Sequence, residues 1–365
     1  MRAILHRRLQ LGEQRMSVTI ITTPQHHTHS NSRHPEHAAR VDAILTNLHD
    51  SASSFCHFVP ATTQDMDWLK TVHTDQYIGW LQQKVTGIAG QYGWIGEDTY
   101  VTAATFDVAL QSVNAACTAV DVIMQGNRAF ALGRPPGHHA TPSSAMGFCF
   151  FNNVAIAARY AQQKHGLARI AIVDIDVHHG NGTQDTFYSD DSVLFISSHG
   201  SPLYPFSGTL NQTGKGIGIG TTLNISMPAQ SGDAAFLRAY QQVVVPALQA
   251  FKPNLILVSA GFDAHWDDPI GNCRLSAHGY ASIVDTLITA ANQLCGGRIS
   301  AVLEGGYSLQ ALAACGHAVA ARLANQPLPE DPLGTRPSNP NSADQAISWL
   351  LNHHPLLQHA KGVSA

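Results

Sequence analysis

The chain carries little charge. Asp, Glu, Lys and Arg make up 13% of its 365 residues, and the net charge is −4 with histidine neutral. A general nucleic-acid binder shows a basic surplus, so direct nucleic-acid binding is not expected. No run of 18 or more apolar residues occurs, so no stretch of sequence reads as a membrane span. The six cysteines (Cys56, Cys117, Cys149, Cys273, Cys295, Cys315) are scattered and form no C-x-x-C pair. That argues against a cysteine zinc site or a dithiol redox motif. A chain of this size needs no disulfide staples. Met1–Arg15 holds four arginines but no continuous apolar segment, so it does not read as a secretory signal. Residues 1–16 read as a frayed extension, with Met16 as the starting residue, in preference to a weak amphipathic leader. A cytoplasmic protein is expected.

What is abundant is apolar residues, 44% of the chain, as in a core-rich globular protein. Histidine is abundant too: its 21 copies equal Lys and Arg combined. Imidazole is a common metal ligand, so placement decides what the excess means. His26, His27 and His29 lie in a Thr- and Ser-rich stretch, and His353, His354 and His359 lie in the tail. Both groups read as solvated. His138, His139, His178 and His179 do not.

Short Val-, Ile- and Leu-rich segments read as strands at Ser17–Thr23, Ala129–Leu132, Ile170–Asp176, Val193–Ser198, Leu255–Ala260 and Ile299–Leu303. Continuous apolar runs suit strands buried on both faces, as in a parallel sheet. Helical patterns separate them at Phe106–Gln125, Asn153–Lys164, Ala234–Phe251, Ala277–Leu294 and Leu309–Asn325. The alternation predicts an α/β fold: one domain over residues 17–325, an open and mostly parallel sheet with helices on both faces. Gln326–Asn341 holds five prolines and is expected to leave the core, with a last short helix over residues 343–352.

Ligands in such sheets bind beyond the carboxyl ends of strands. Ile170–Asp176 runs into VDIDVHHGNG, which places Asp174, Asp176 and His178 on one face and turns Ile175 and Val177 the other way. Three such groups are costly to bury without a cation. Leu255–Ala260 ends in GFDAH and adds Asp263. Two carboxylates and one imidazole leave a fourth position for water, as in catalytic zinc sites. Ala129–Leu132 leads into GRPPGHHA, a rigid loop presenting His138 and His139, which can take and return the protons of metal-assisted hydrolysis. Ile299–Leu303 leads into EGGY, where Tyr307 can donate to a developing oxyanion.

RPPGHHA, MGFCFFNN, VDIDVHHGNGTQDTFY, SAGFDAH, DDPIG and LEGGYS resemble, in order, the motifs of the histone deacetylase/acetylpolyamine amidohydrolase superfamily. HPEHAAR (His34–Arg40) resembles the signature of its class II-like members. The resemblance implies the arginase/deacetylase-like fold and a metal-dependent amidohydrolase. It implies one catalytic Zn²⁺ on Asp176, His178 and Asp263, a His138/His139 base and acid pair, and Tyr307 on the scissile carbonyl. Asp174 would orient His138, and Asn181, where class I-like members carry Asp, would partner His139. One or two structural K⁺ ions are implied. The first would lie at Asp174, Asp176, His178, Ser197 and Ser198, the second near Phe187, Asp190 and Val193. A tunnel for the acyl-lysine stem would involve Gly147, Phe148, Tyr204 and Gly306, with Asp98 and Ile270 at its mouth. Ile270 stands where one acetylpolyamine-preferring branch carries Glu, which favours acetyl-lysine peptide or protein over acetylpolyamine. A small acylamide substrate is the alternative. A catalytically silent zinc and acyl-lysine binder is a second one, and a binuclear manganese enzyme ranks lower still. The sequence leaves homo-oligomer formation open.

Overall fold

A computed structural model describes residues 16–88, 90 and 92–362. The expected extension at Met1–Arg15 lies outside the described residues. Eight parallel strands form one sheet: β1 (Val18–Thr22), β2 (Cys56–Pro60), β5 (Arg128–Leu132), β6 (Ile170–Asp174), β7 (Val193–Ser201), β8 (Thr222–Pro228), β9 (Leu255–Ala260) and β10 (Ile299–Leu303). Their spatial order is β2-β1-β5-β10-β9-β6-β7-β8. A short antiparallel hairpin, β3 (Gly93–Ile95) with β4 (Thr99–Val101), stands apart.

Alternate residues along each strand feed two separate cores. Val18, Ile20, Phe130, Leu132, Ala171 and Val173 face one, together with the helices Ala39–Ser51 (α1), Ala277–Leu294 and Leu309–Leu323. Ile21, Ala129, Ala131, Ile170 and Ile172 face the other, with Thr105–Met124 and Asn153–His165. Burial on both faces is why these strands read as unbroken apolar runs. Thr105–Met124 is long and apolar enough to cross a membrane, but 72% of that window is buried inside the fold, so it is a core helix. All six cysteines are buried and free.

Several expectations need correction. β6 ends at Asp174, not Asp176, because the next residues leave the ladder to form the site loop. The helix predicted over Ala234–Phe251 is α-helical at both ends with a π turn at Tyr240–Val244 between them. Pro246, which has no N–H to give the regular ladder, follows that turn. No residue of 326–341 is buried, while beyond that stretch Ile347, Leu350 and Leu357 join the first core. His354, His26 and His29 are buried at 0%, 4% and 1% exposure, so neither histidine group is solvated as a whole.

Candidate metal centre and active site

The order β5-β10-β9-β6 sets four strand ends side by side, and each carries one of the expected motifs. Past β6, Ile175 and Val177 anchor in the core, which turns Asp176 and His178 the other way. One Nδ1 or carboxylate oxygen from each of Asp176, His178 and Asp263 lies within 4.8 Å of the others, all buried. His178 Nδ1 stands 3.2 Å from both Asp176 Oδ1 and Asp263 Oδ2. Backbone N–H groups hold the carboxylates in place: Val177 donates to Asp263 Oδ1 at 2.8 Å and Gly305 to Asp176 Oδ2 at 2.9 Å. A Cβ on Gly305 would meet Asp176 Oδ2 at 2.6 Å, so that position must be bare. Burial disfavours charge on Asp176, yet His138 and His178 outweigh it and hold its carboxyl well below the carboxylate range. Burial also opposes charge on His178, but the two carboxylates push its pKa up to about 10. Two buried carboxylates thus converge on His178 Nδ1. The oxygen and nitrogen donors and their spacing fit a small divalent ion with an open position.

Beyond β5, the Glu304 carboxylate pins the histidine loop. Its Oε2 accepts from the N–H of Gly137 at 2.6 Å and of His138 at 3.1 Å. His138 Nδ1 bonds Asp174 Oδ2 at 3.0 Å, leaving Nε2 facing Asp176 Oδ2 at 3.8 Å. His139 Nδ1 bonds Asn181 Oδ1 at 2.8 Å. An amide oxygen only accepts, so His139 carries its proton on Nδ1 and presents Nε2 inward. The two rings sit 4.0 Å apart yet are driven in opposite directions. Burial lowers His138, but Asp176 and Asp174 raise it well above the usual value. Burial and the neighbouring His138 and His178 push His139 well below it. Such divergence is the pattern of an acid and a base sharing one site.

A cavity of about 240 Å³ opens onto this centre, lined by Asp98, His139, Gly147, Phe148, His178, Leu203, Tyr204, Ile270 and Tyr307. Gly147 and Phe148 both adopt positive φ, 55° and 68°, which turns the Phe148 ring into the wall. That ring meets Tyr307 edge-on at 5.7 Å, and Tyr204 meets His139 at 5.2 Å. Gly306 is not on the wall; its carbonyl accepts from Arg40 Nε at 2.6 Å. Asp268 Oδ2 accepts from Tyr307 N–H at 2.6 Å, while its Oδ1 takes Ile270 N–H at 3.1 Å. One carboxylate thus ties two walls of the cavity together.

The expected cation residues fall into two places. Asp174 and Ser197 are paired across β6 and β7, and Ser198 Oγ donates to the Asp174 carbonyl at 3.4 Å. Phe187, Asp190 and Val193 lie at the far end of β7, where Asp190 N–H bonds Phe187 O at 3.0 Å.

Behind the cavity lies a charged cluster that sequence reasoning did not assign. Glu36, Arg40 and Arg134 are all 0% exposed. Arg134 grips both Glu36 oxygens, at 2.8 and 2.6 Å, and Arg40 bonds Oε1 at 3.2 Å. Arg40 also donates to the Glu304 carbonyl at 2.5 Å and lies 4.9 Å from the Tyr307 ring centre. Glu304, Asp268 and Leu203 were missed as well. Glu304 directly follows an apolar strand, as Asp174 closes another, and that was the available signal.

The model of the histone deacetylase domain matches residues 34–323. The chain belongs to the histone deacetylase family. It is 42% identical over 305 residues to the chloroplastic histone deacetylase 14 of Arabidopsis thaliana, covering 78% of this chain and 71% of that one. It is 39% identical to the histone deacetylase-like amidohydrolase of Pseudomonas aeruginosa, over 71% and 68% of the two chains. The crystal structure of the HDA15 HD domain superposes with a TM-score of 0.84 at 32% identity, covering 96% and 99%. This histone deacetylase family chain is a hydrolase acting on amides, and the expected α/β fold is the fold it has.

Proposed function

We propose that this deacetylase removes acetyl, or other acyl, groups from lysine side chains of peptides or proteins and releases acetate. The observation that carries this reading is the convergence of Asp176, His178 and Asp263 at the end of a narrow, aromatic-walled cavity. Those three residues would hold one Zn²⁺, which when bound supplies an acidified water and polarises the acyl carbonyl. His138, oriented by Asp174, and His139, oriented by Asn181, divide the proton work: one takes the proton of the attacking water and the other protonates the departing amine. The Tyr307 hydroxyl donates to the carbonyl oxygen as it becomes an oxyanion. Phe148 and Tyr204 exclude bulk water along the acyl-lysine stem. Asp98 at the mouth offers a carboxylate to the substrate backbone, while Ile270 leaves nothing there to attract a second ammonium. K⁺ ions at the Asp174–Ser198 and Phe187–Val193 positions would be structural. The domain is taken as residues 17–325, and a cytoplasmic site of action goes with this reading, to be checked by cell fractionation.

The test is a deacylation panel on purified chain, with metal content measured on the same sample. Acetyl-lysine peptides turned over faster than acetylputrescine, with zinc present in the active chain and turnover lost on chelation, is the expected result. Preference for acetylputrescine, or turnover unaffected by chelation, overturns the reading.

A further inference from the structure

A second convergence of metal-ligating atoms lies on the other side of the Arg134 anchor. His26 and His27 form a single turn, His26–Thr28, set against α1. His26 Nδ1 lies 2.8 Å from the Thr23 carbonyl oxygen. A carbonyl can only accept, so the ring carries hydrogen on Nδ1, and a neutral ring then presents a lone pair at Nε2. That lone pair faces Asp42 Oδ1 at 3.1 Å. His27 Nε2 lies 3.5 Å from the same oxygen. Hydrogen bonds alone would fill both contacts only with His26 doubly protonated, which places a positive charge on a ring that is 4% exposed.

One cation satisfies both. With metal–ligand bonds of about 2.1 Å, separations of 3.1 and 3.5 Å subtend angles of about 95° and 113°. These bracket the tetrahedral value. The His27 and Asp42 side chains are 58% and 42% exposed, so water can reach the remaining positions and an ion can exchange.

We propose that His26, His27 and Asp42 form a second site for a divalent transition metal, Zn²⁺ or an ion of similar preference, apart from Asp176, His178 and Asp263. Its role is to fasten the His26–Thr28 turn to α1. The same turn is held from inside, where Arg134 donates to the carbonyls of His26 and His29. The ion and the arginine thus grip one segment from opposite sides.

The test uses the full chain, stripped with a chelator and dialysed against buffered free Zn²⁺ in the micromolar range. Bound zinc is counted by mass spectrometry for wild type, His27→Gln and Asp42→Asn. The wild type should hold one ion more per chain than either variant. Added zinc should also raise its melting temperature by more than it raises theirs. Equal zinc in all three chains overturns the proposal. The comparison is a difference between chains with an unaltered Asp176, His178 and Asp263, so it stands whatever those residues bind. Retained deacylase activity in both variants shows that they are folded.

Discussion

Replacing Glu36 by Gln removes one negative charge from a site where two guanidiniums meet. Glu36, Arg40 and Arg134 are fully buried, and the carboxylate takes two bonds from Arg134 and one from Arg40. Burial alone would push the Glu36 carboxyl up; Arg134 and then Arg40 reverse this and hold it well below the carboxylate range. In Glu36→Gln an amide NH₂ must face a guanidinium, and two cations lose their shared counter-charge. Breaking a buried pair from one side costs about 3–5 kcal/mol. With a urea slope of roughly 3 kcal/mol per molar, the unfolding midpoint should fall by about 1 M or more, read by tryptophan fluorescence. Glu36→Asp keeps the charge and should lose less. Activity should fall with stability, because Arg40 holds the carbonyls of Glu304 and Gly306 on either side of Gly305, just before Tyr307. A Glu36→Gln midpoint within about 0.2 M of wild type would falsify the claim that this cluster is a structural keystone.

Tyr307→Phe should keep its metal content yet lose about 10²–10³ in kcat; undiminished turnover removes Tyr307 from the mechanism. Gly305→Ala places a Cβ against the oxygens of Asp176 and Asp263. Ligand positions must hold within about 0.2 Å, so bound zinc should drop sharply while the far-ultraviolet circular dichroism stays native. Acid should destabilise the chain through buried neutral histidines. His73 donates from Nδ1 to the Thr141 carbonyl at 3.0 Å and accepts at Nε2 from Asn152 N–H at 2.9 Å, so protonation breaks the second bond. Burial lowers the pKa of His73 to about 4 and that of His29 to about 3. Below the ordinary value of about 6.5 the unfolded chain takes up protons that the folded chain refuses. Stability present above that pH is therefore lost on acidification, by up to about 1.4 kcal/mol per pH unit for each group. Urea midpoints at pH 7, 6 and 5 check this, and a flat profile counts against it.

The strands that carry chemistry were legible because each is a short apolar run ending in an abrupt polar motif. β2 and β8 were not, for both are edge strands. CHFVP is mostly half-exposed, and TLNISMP buries Asn224 in mid-strand, so neither shows the unbroken apolar run of the central strands. The candidate metal-centre residues could be read from local order alone: Asp176 and His178 are two apart, and Asp263 follows the end of a neighbouring strand. The Glu36–Arg40–Arg134 cluster could not, since its partners lie 98 residues apart along the chain. Histidine misled for a related reason. His26 and His29 sit among Thr and Ser, but a distant arginine takes up their carbonyls and draws them inside.

The tail has a practical consequence for the sheet. Among the described residues β8 pairs only with β7, so its outer edge would offer free main-chain groups to any passing strand. Phe195 N–H takes the Thr221 carbonyl on the inner side, so the next carbonyl, that of Thr222, points outward, and His354 caps it at 2.8 Å. The helix Asp344–His353 lies alongside, with Ile347 and Leu350 buried. A chain shortened to the matched domain, ending at residue 323, would bare both the edge and those apolar contacts. Such a truncation should keep the residues of the candidate site and still be lost to intermolecular strand pairing, so His354 and the helix before it act as this sheet's guard against aggregation.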